Sequence, residues 1–206
     1  MNFFSQLAVK PWLTSGDPVV DSHDGKEFAL PIPTFGLRVF LAVATMLFSL
    51  MVVAYSERML FGDWKITPEP WLLWANTLIL VLSSVAFHRA FTSARKGEME
   101  GVKANFFAAG ILSAAFLAGQ LLASQQLVGM GFFISSNVSV AFFYMLTVTH
   151  ALHLVGGLIA WGLTASKVWR DGSSVAEVRL SVELCAFYWH FLLLVWMVLF
   201  SLLLLT

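Results

Sequence analysis

The chain has little charge and a single cysteine, and each of these shortages excludes a class of protein. Charged residues make up 12% of the 206 residues and the net charge is zero, so the basic surface that nucleic-acid binding requires is absent. Because Cys185 is the only cysteine, neither an intramolecular disulfide nor a cysteine-based metal centre can form. The sequence also lacks a P-loop, the patterns Gly-x-Ser-x-Gly and His-Glu-x-x-His, and any carboxylate cluster. We therefore expect no catalytic residues in this chain.

Apolar residues are what the chain has in abundance, at 59% of the sequence and with a mean hydropathy of +0.81. Five apolar runs are long enough to cross the roughly 30 Å core of a bilayer as helices. They lack the alternation of polar and apolar residues that is typical of membrane barrel strands. The predicted fold is all-α and integral to the membrane, a five-helix bundle within residues 35–206. The predicted spans are approximately 35–58, 71–92, 104–126, 138–166 and 180–205.

Lysine and arginine are distributed unevenly between the two sides of this bundle. Residues 1–34 are polar, without the apolar core and cleavage site of a secretory signal, and we expect them to form a water-exposed arm. That arm and the loops 88–103 and 167–179 share one side, which carries ten of the twelve lysines and arginines. The other side has only Arg58 and Lys65. The positive-inside rule therefore predicts a cytoplasmic N-terminus and an external C-terminus.

Ionisable residues are concentrated in the last two spans. His150 and His153 are three residues apart and share one face of the fourth helix. Glu183 and His190 are seven residues apart and share a face of the fifth helix. Because an ionisable group at membrane depth is energetically costly, such residues indicate a specific role.

Four interpretations of these residues remain open, and the first two concern structure. The first is hydrogen bonding between helices by neutral side chains. Its candidate residues are His150, His153, His190, Tyr188, Trp189, Asn76 and Thr77. The second is contact with lipid headgroups or a neighbouring subunit at the inner rim. Its candidate residues are Glu183, Arg179, Arg170, Lys167, His88 and Arg89. Arg179 can pair with Glu183, four residues later on the same helix.

The other two interpretations are functional sites in the stricter sense. A proton relay needs titratable groups across the whole membrane, and the outer half of the bundle has none. Haem ligation by His153 and His190 would use two histidines at similar depth, but the chain offers no second pair of this kind. Elsewhere, Gly156 and Gly157 favour the close approach of a neighbouring helix. The run Ser135-Ser136-Asn137 precedes the fourth helix and is predicted to supply its N-cap.

The last span contains a motif that resembles subunit III of the haem–copper terminal oxidases. The motif is Tyr188-Trp189-His190-Phe191, followed by Val195-Trp196 and Leu199-Phe200, with Glu183 at the position of the family's glutamate. Further similar positions are Phe142-Phe143, Leu146-Thr147, His150, His153 and Gly156 in the fourth span, Asn76-Thr77, Leu80 and Ser83-Ser84 in the second, and Gly36, Phe40, Ala42, Met46, Tyr55 and Arg58 in the first. The resemblance extends over about residues 35–205 and is to the five-span bacterial members.

The resemblance implies an accessory subunit in a bacterial inner membrane. Such a subunit docks on catalytic subunit I, in a complex with subunit II and further small subunits. It holds structural phospholipid and has no haem or copper of its own, because those cofactors belong to partner subunits. The implied role is to stabilise the catalytic subunit and to support its proton uptake.

The chain departs from the family pattern at three positions where an acid is usual. Ala44, Ala123 and Leu193 stand there instead. The resemblance leaves open whether the partner complex is a cytochrome c oxidase, a quinol oxidase or a nitric oxide reductase. Two alternatives outside this superfamily are a haem-binding electron carrier that uses His153 and His190, and a small transporter or channel. The absence of an internal repeat in the sequence disfavours a transporter.

Overall fold

A computed structural model describes residues 32–62, 64, 71–169 and 175–205, with side chains for all of these except 175–177. These residues form five helices and no strand. The helices are α1 (Ile32–Met59), α2 (Leu72–Lys96), α3 (Met99–Gly129), α4 (Val138–Trp169) and α5 (Val175–Leu204). Each is long and apolar enough to cross a membrane. The predicted all-α fold with five membrane spans is therefore confirmed.

The helices are longer than the predicted spans. α3 has 31 residues and is therefore about 46 Å long, which exceeds the roughly 30 Å hydrocarbon core. α1 begins at Ile32 and has Pro33 in its first turn, where the missing N–H of proline costs no helical hydrogen bond. The rest of the predicted arm lies outside the described residues, and so does Arg170. The described residues from 33 onward belong to one compact unit.

The turns before and after α3 each contain a glycine with positive φ and a backbone hydrogen bond. Gly97 has a left-handed backbone (φ 78°), and the N–H of the next residue donates to the Ser93 carbonyl at 3.0 Å. Gly131 (φ 87°) ends α3 in the same way, with the following N–H donating to the Leu127 carbonyl at 3.1 Å. Both turns need the positive φ that glycine adopts without strain. Asn137 Oδ1 accepts a hydrogen bond from the backbone N–H three residues later at 3.0 Å, which confirms the predicted N-cap of α4.

α5 is packed against α2, α3 and α4, and two tryptophans provide its contacts. Trp189 and Trp196 are both 0% exposed. The Trp189 ring lies 4.4 Å from the ring of Phe87 on α2, measured between centroids. The Trp196 ring lies 5.1 Å from that of Phe116 on α3. These aromatic contacts hold α5 against the rest of the bundle.

α1 lies at the periphery and packs mainly through aromatic side chains. Only 22% of an 18-residue apolar stretch of α1 is buried, against 39–44% of the corresponding stretches of the other four helices. Phe48 contacts the ring of His153 on α4 at 5.1 Å, and Tyr55 contacts Phe142 on α4 at 5.7 Å. Phe48 precedes Tyr55 on α1, whereas its partner His153 follows Phe142 on α4, so the two helices are antiparallel. α1 therefore covers α4 and part of α5 along one side.

Candidate functional site

Two polar side chains of α2, Asn76 and Ser83, lie on its buried face, where they bond to α3. Asn76 Nδ2 donates to the Phe116 carbonyl at 3.3 Å and to Gln120 Oε1 at 3.2 Å. About two helical turns further along, Ser83 Oγ lies 2.8 Å from Ser113 Oγ. Because no water competes for these groups inside a bilayer, such bonds link neighbouring helices.

The two buried tryptophans of α5 add hydrogen bonds to the same region. Trp189 Nε1 donates to Ser113 Oγ at 2.7 Å. Trp196 Nε1 donates to Thr77 Oγ1 at 3.0 Å, while the Thr77 hydroxyl donates to the Leu73 carbonyl at 2.8 Å. Each indole therefore fixes the position of α5 along a neighbouring helix. The candidates Asn76, Thr77 and Trp189 all lie at contacts between helices.

His150 occupies an aromatic enclosure. Its side chain is 0% exposed, and its ring lies 5.2 Å from the ring of Trp196, 6.1 Å from that of Phe116 and 6.3 Å from that of Phe48. Neither ring nitrogen has a hydrogen-bond partner among the described residues. The interhelical hydrogen bond expected from the sequence is therefore absent there, and the ring instead packs as an aromatic group.

His153 bonds to its own helix through the ring and to α5 through the backbone. Its Nδ1 lies 2.8 Å from the Thr149 carbonyl, one turn earlier on α4. The Tyr188 hydroxyl donates to the His153 carbonyl at 2.8 Å and thereby links α5 to α4. The His153 ring packs against Phe40 and Phe48 of α1. The link between helices at this point is made by Tyr188 rather than by the imidazole.

His190 points in another direction, toward α2. Its Nδ1 lies 2.5 Å from Ser84 Oγ, and its ring centroid is 5.8 Å from that of His88. Both histidines of this pair have exposed side chains. The rings of His153 and His190 therefore pack on different helices, α1 and α2. This arrangement does not present them to each other as the two axial ligands of one haem would be.

The charged candidates lie on the surface, Lys167 and Arg179 near helix ends and Arg89 and Glu183 about two turns inside the ends of their helices. Lys167, Arg179, Glu183 and Arg89 are all exposed. Within the described ranges no ion pair joins Arg179 to Glu183, although four residues separate them on α5 and the sequence suggested such a pair. Exposed charges at helix ends can reach the headgroup layer of a bilayer.

A half-open groove of about 520 Å³ runs between α1, α4 and α5. Most of its surface is apolar, and Lys167 is its only charged lining residue among those described. A Cβ added at Gly156 would meet no atom within 4 Å, so this glycine leaves the groove open. The other lining residues include Leu37 and Phe40 of α1, Ala160 and Thr164 of α4, and Leu184 and Tyr188 of α5. The volume lies within the range of roughly 300–1,000 Å³ typical of small-molecule sites.

The three positions where the family's acids are replaced lie in the packed interior. Ala44 and Ala123 are buried, and Leu193 is partly buried against the core. The described residues contain no group of three or more histidine, cysteine, aspartate or glutamate side chains that could hold a metal ion. Cys185 is buried with its Sγ 3.5 Å from Thr164 Oγ1. Packing contacts and hydrogen bonds therefore account for the described interior at these positions.

Two features of this arrangement were not predicted from the sequence. One is the pairing of Ser84 with His190, since the sequence named Ser84 only among the positions similar to the family. The other is the bond from Trp161 Nε1 on α4 to the Phe106 carbonyl on α3, at 2.9 Å. The sequence does contain a signal for the first, because Ser84 and His88 are four residues apart and share a face of α2.

Known proteins similar to this chain agree on one family. The chain matches the family described as Cytochrome c oxidase subunit III over residues 33–205. It is 28% identical to the cytochrome c oxidase subunit 3 of Thermostichus vulcanus over 189 residues, which cover 88% of this chain and 89% of that protein. It is 34% identical to the probable cytochrome c oxidase subunit 3 of Nocardia farcinica, over 75% of this chain and 76% of that protein. It is 33% identical to the cytochrome c oxidase subunit 3 of Synechocystis sp., over 82% of this chain and 73% of that protein.

Proposed function

The chain belongs to the cytochrome c oxidase subunit III family, and we propose that it stabilises the catalytic subunit of its complex and retains a phospholipid there. It is a multi-pass bacterial membrane protein and an accessory subunit of a haem–copper oxidase, which implies a complex with other oxidase subunits. Its proposed partners are catalytic subunit I, subunit II and further small subunits, and the proposed electron donor of the complex is cytochrome c. The haem and copper of the reaction would then belong to the partners.

The observation that carries this proposal is the family match across all five helices. A stabilising role is consistent with an interior in which Asn76, Trp189 and Trp196 bond one helix to another. Such a bundle presents a preformed surface to its partner, and preformed surfaces lose little conformational entropy on association.

The lipid part of the proposal rests on the groove between α1, α4 and α5. An acyl chain would lie along its apolar walls, while Lys167 at one end would attract the phosphate of the headgroup. Arg179 is exposed on the neighbouring helix and offers a further cation. Glu183, Arg89 and His88 are proposed as contacts with lipid or a neighbouring subunit.

The test is to purify a tagged chain in mild detergent from a bacterium that lacks the untagged copy. We expect the tagged chain to co-purify with haem- and copper-containing subunits. Gly156→Leu, whose Cβ has open space and whose side chain would occupy part of the groove, should remove about one bound phospholipid per chain and lower the yield of complex. Haem is measured by visible absorption, copper by elemental analysis and phospholipid by mass spectrometry.

Gly162→Leu is the matched control, because Gly162 lies on the same helix with open space around it but does not line the groove. This variant should retain its phospholipid and its partners. Equal phospholipid in both variants, with the complex intact, would refute the lipid site alone. A chain that purifies without a haem-containing partner contradicts the proposed role. A Soret band in the isolated chain that needs His153 and His190 would instead indicate an electron carrier.

A further inference from the structure

The pairing of Ser84 with His190 lies at the middle of the membrane. Ser84 is twelve residues from either end of α2, which places it about 18 Å from each end. His190 is twelve residues after Val178, where the apolar span of α5 begins, and fourteen residues before Leu204. Headgroups lie about 15 Å from the midplane of a bilayer, so the headgroup layer does not reach these groups.

Only one nitrogen of the His190 ring is satisfied within the described residues. Nδ1 bonds with Ser84 Oγ, and no described residue bonds with Nε2. Because no other described group accepts the proton of the Ser84 hydroxyl, this hydroxyl is the donor to Nδ1, and the neutral ring then carries its proton on Nε2. His190 is exposed, so Nε2–H is a donor on the outer surface of the bundle at mid-membrane depth. His88 adds a second exposed imidazole on the same patch.

A polar donor in contact with lipid tails has no partner and is costly. Much of the surface around His190 is apolar, with Phe187 56% exposed and Leu194 61% exposed on α5, and Val85 exposed on α2. Glu183 on α5 and Arg89 on α2 are exposed charged side chains on the same two helices. We refer to Val85, His88, Phe187, His190 and Leu194 together as the α2–α5 face. A polar spot within an apolar surface is what a packed partner helix with one matching acceptor would cover.

We propose that the α2–α5 face is the docking surface for a transmembrane helix of a neighbouring oxidase subunit. This helix presents an oxygen acceptor, either a carboxylate, a hydroxyl or a free backbone carbonyl, to Nε2 of His190. The inference rests on the proposed function for the identity of the partner as an oxidase subunit. The choice of this surface and of an oxygen acceptor follows from the mid-membrane position and the exposure of the imidazole.

The docking surface is tested by photo-crosslinking in intact membranes. A benzophenone amino acid is placed at Phe187, at Leu194 or, as a control, at Leu121, which is 66% exposed on α3. We expect the two positions on the α2–α5 face to crosslink to another oxidase subunit, and Leu121 to crosslink only to lipid. If haem-containing partners co-purify but the two positions give no protein crosslink, the docking surface is wrong while the proposed function stands. If no partner co-purifies, the proposed function itself fails.

The acceptor is tested with two amides in place of the imidazole. In His190→Asn the side-chain amide occupies the position of Nδ1 and can still bond with Ser84, but the group at Nε2 is lost. In His190→Gln the amide reaches the position of Nε2. We expect the Asn variant to lose at least half of the co-purified partner and the Gln variant to retain most of it, at equal levels of the chain in the membrane. Equal retention of the partner in both variants would overturn the role of Nε2.

Discussion

At the scale of single residues, His150 is a polar side chain in an apolar environment. Its ring is enclosed by aromatic side chains of α1, α3 and α5, and both nitrogens lack partners among the described residues. A buried polar group without a hydrogen bond costs about 1–3 kcal/mol. The other two histidines of the last spans each place one nitrogen against an oxygen, at Thr149 and Ser84. The same residue type thus has three different roles within two helices.

Replacing His150 by leucine should leave the free energy of unfolding unchanged or raise it by about 1–3 kcal/mol. Leucine has a similar volume and removes the unsatisfied nitrogens. The measurement is thermal unfolding of the purified chain in detergent. Leu154→Ala is the control on the same helix, because this 0% exposed side chain should cost about 2–5 kcal/mol when truncated. A clear loss of stability in His150→Leu would reveal a partner of the ring outside the described contacts.

At the scale of helices, the neighbouring glycines of α4 have different functions. A Cβ added at Gly157 would lie 2.7 Å from the ring of Tyr188 and 2.8 Å from that of Trp189, so α5 packs directly on the backbone of α4. Gly156 has open space and faces the groove instead. The sequence predicted that this pair allows a close approach of helices, and the structure assigns that role to Gly157.

Gly157→Ala should therefore lower the stability of the bundle, by about 1–3 kcal/mol as is typical of overpacked sites. Gly156→Ala should have no such cost. The comparison is matched, because the two substitutions are identical and adjacent on one helix. Denaturant titration of the two variants in the same detergent measures the difference. Equal stability of the two would show that α5 can shift away from α4 without loss.

At the scale of the whole molecule, α1 is less buried than the other helices and forms one wall of the groove. α5 lies between α1 on one side and α2 on the other, with Tyr188 linked to α4 and His190 linked to α2. The groove and the α2–α5 face thus lie on different sides of α5. A phospholipid and a partner helix can therefore bind the bundle at the same time.

The orientation of the bundle remains a prediction from the distribution of lysine and arginine, ten on one side against two on the other. An alkaline phosphatase fused to the C-terminus should be active, because this enzyme folds only outside the cytoplasm. A green fluorescent protein fused at the same place should be dark. If instead the green fluorescent protein fusion is bright and the phosphatase fusion is inactive, the C-terminus lies in the cytoplasm.

The sequence by itself determined the five membrane helices, because a bilayer requires long apolar segments whose backbone groups bond within each segment. It also determined the N-cap at Asn137 and the family, since both depend on residue types at fixed spacing along the chain. The helical period further placed Glu183, Phe187 and His190 on one face of α5, and the structure exposes all three.

Only the tertiary structure decided which neighbour each face meets. The helical period relates residues within one helix, but the rotation of a helix relative to its neighbours depends on how all side chains pack together. For that reason the sequence placed His150, His153 and His190 in one class, and packing separated them. His150 lies among aromatic rings, His153 packs on α1, and His190 pairs with Ser84 on α2.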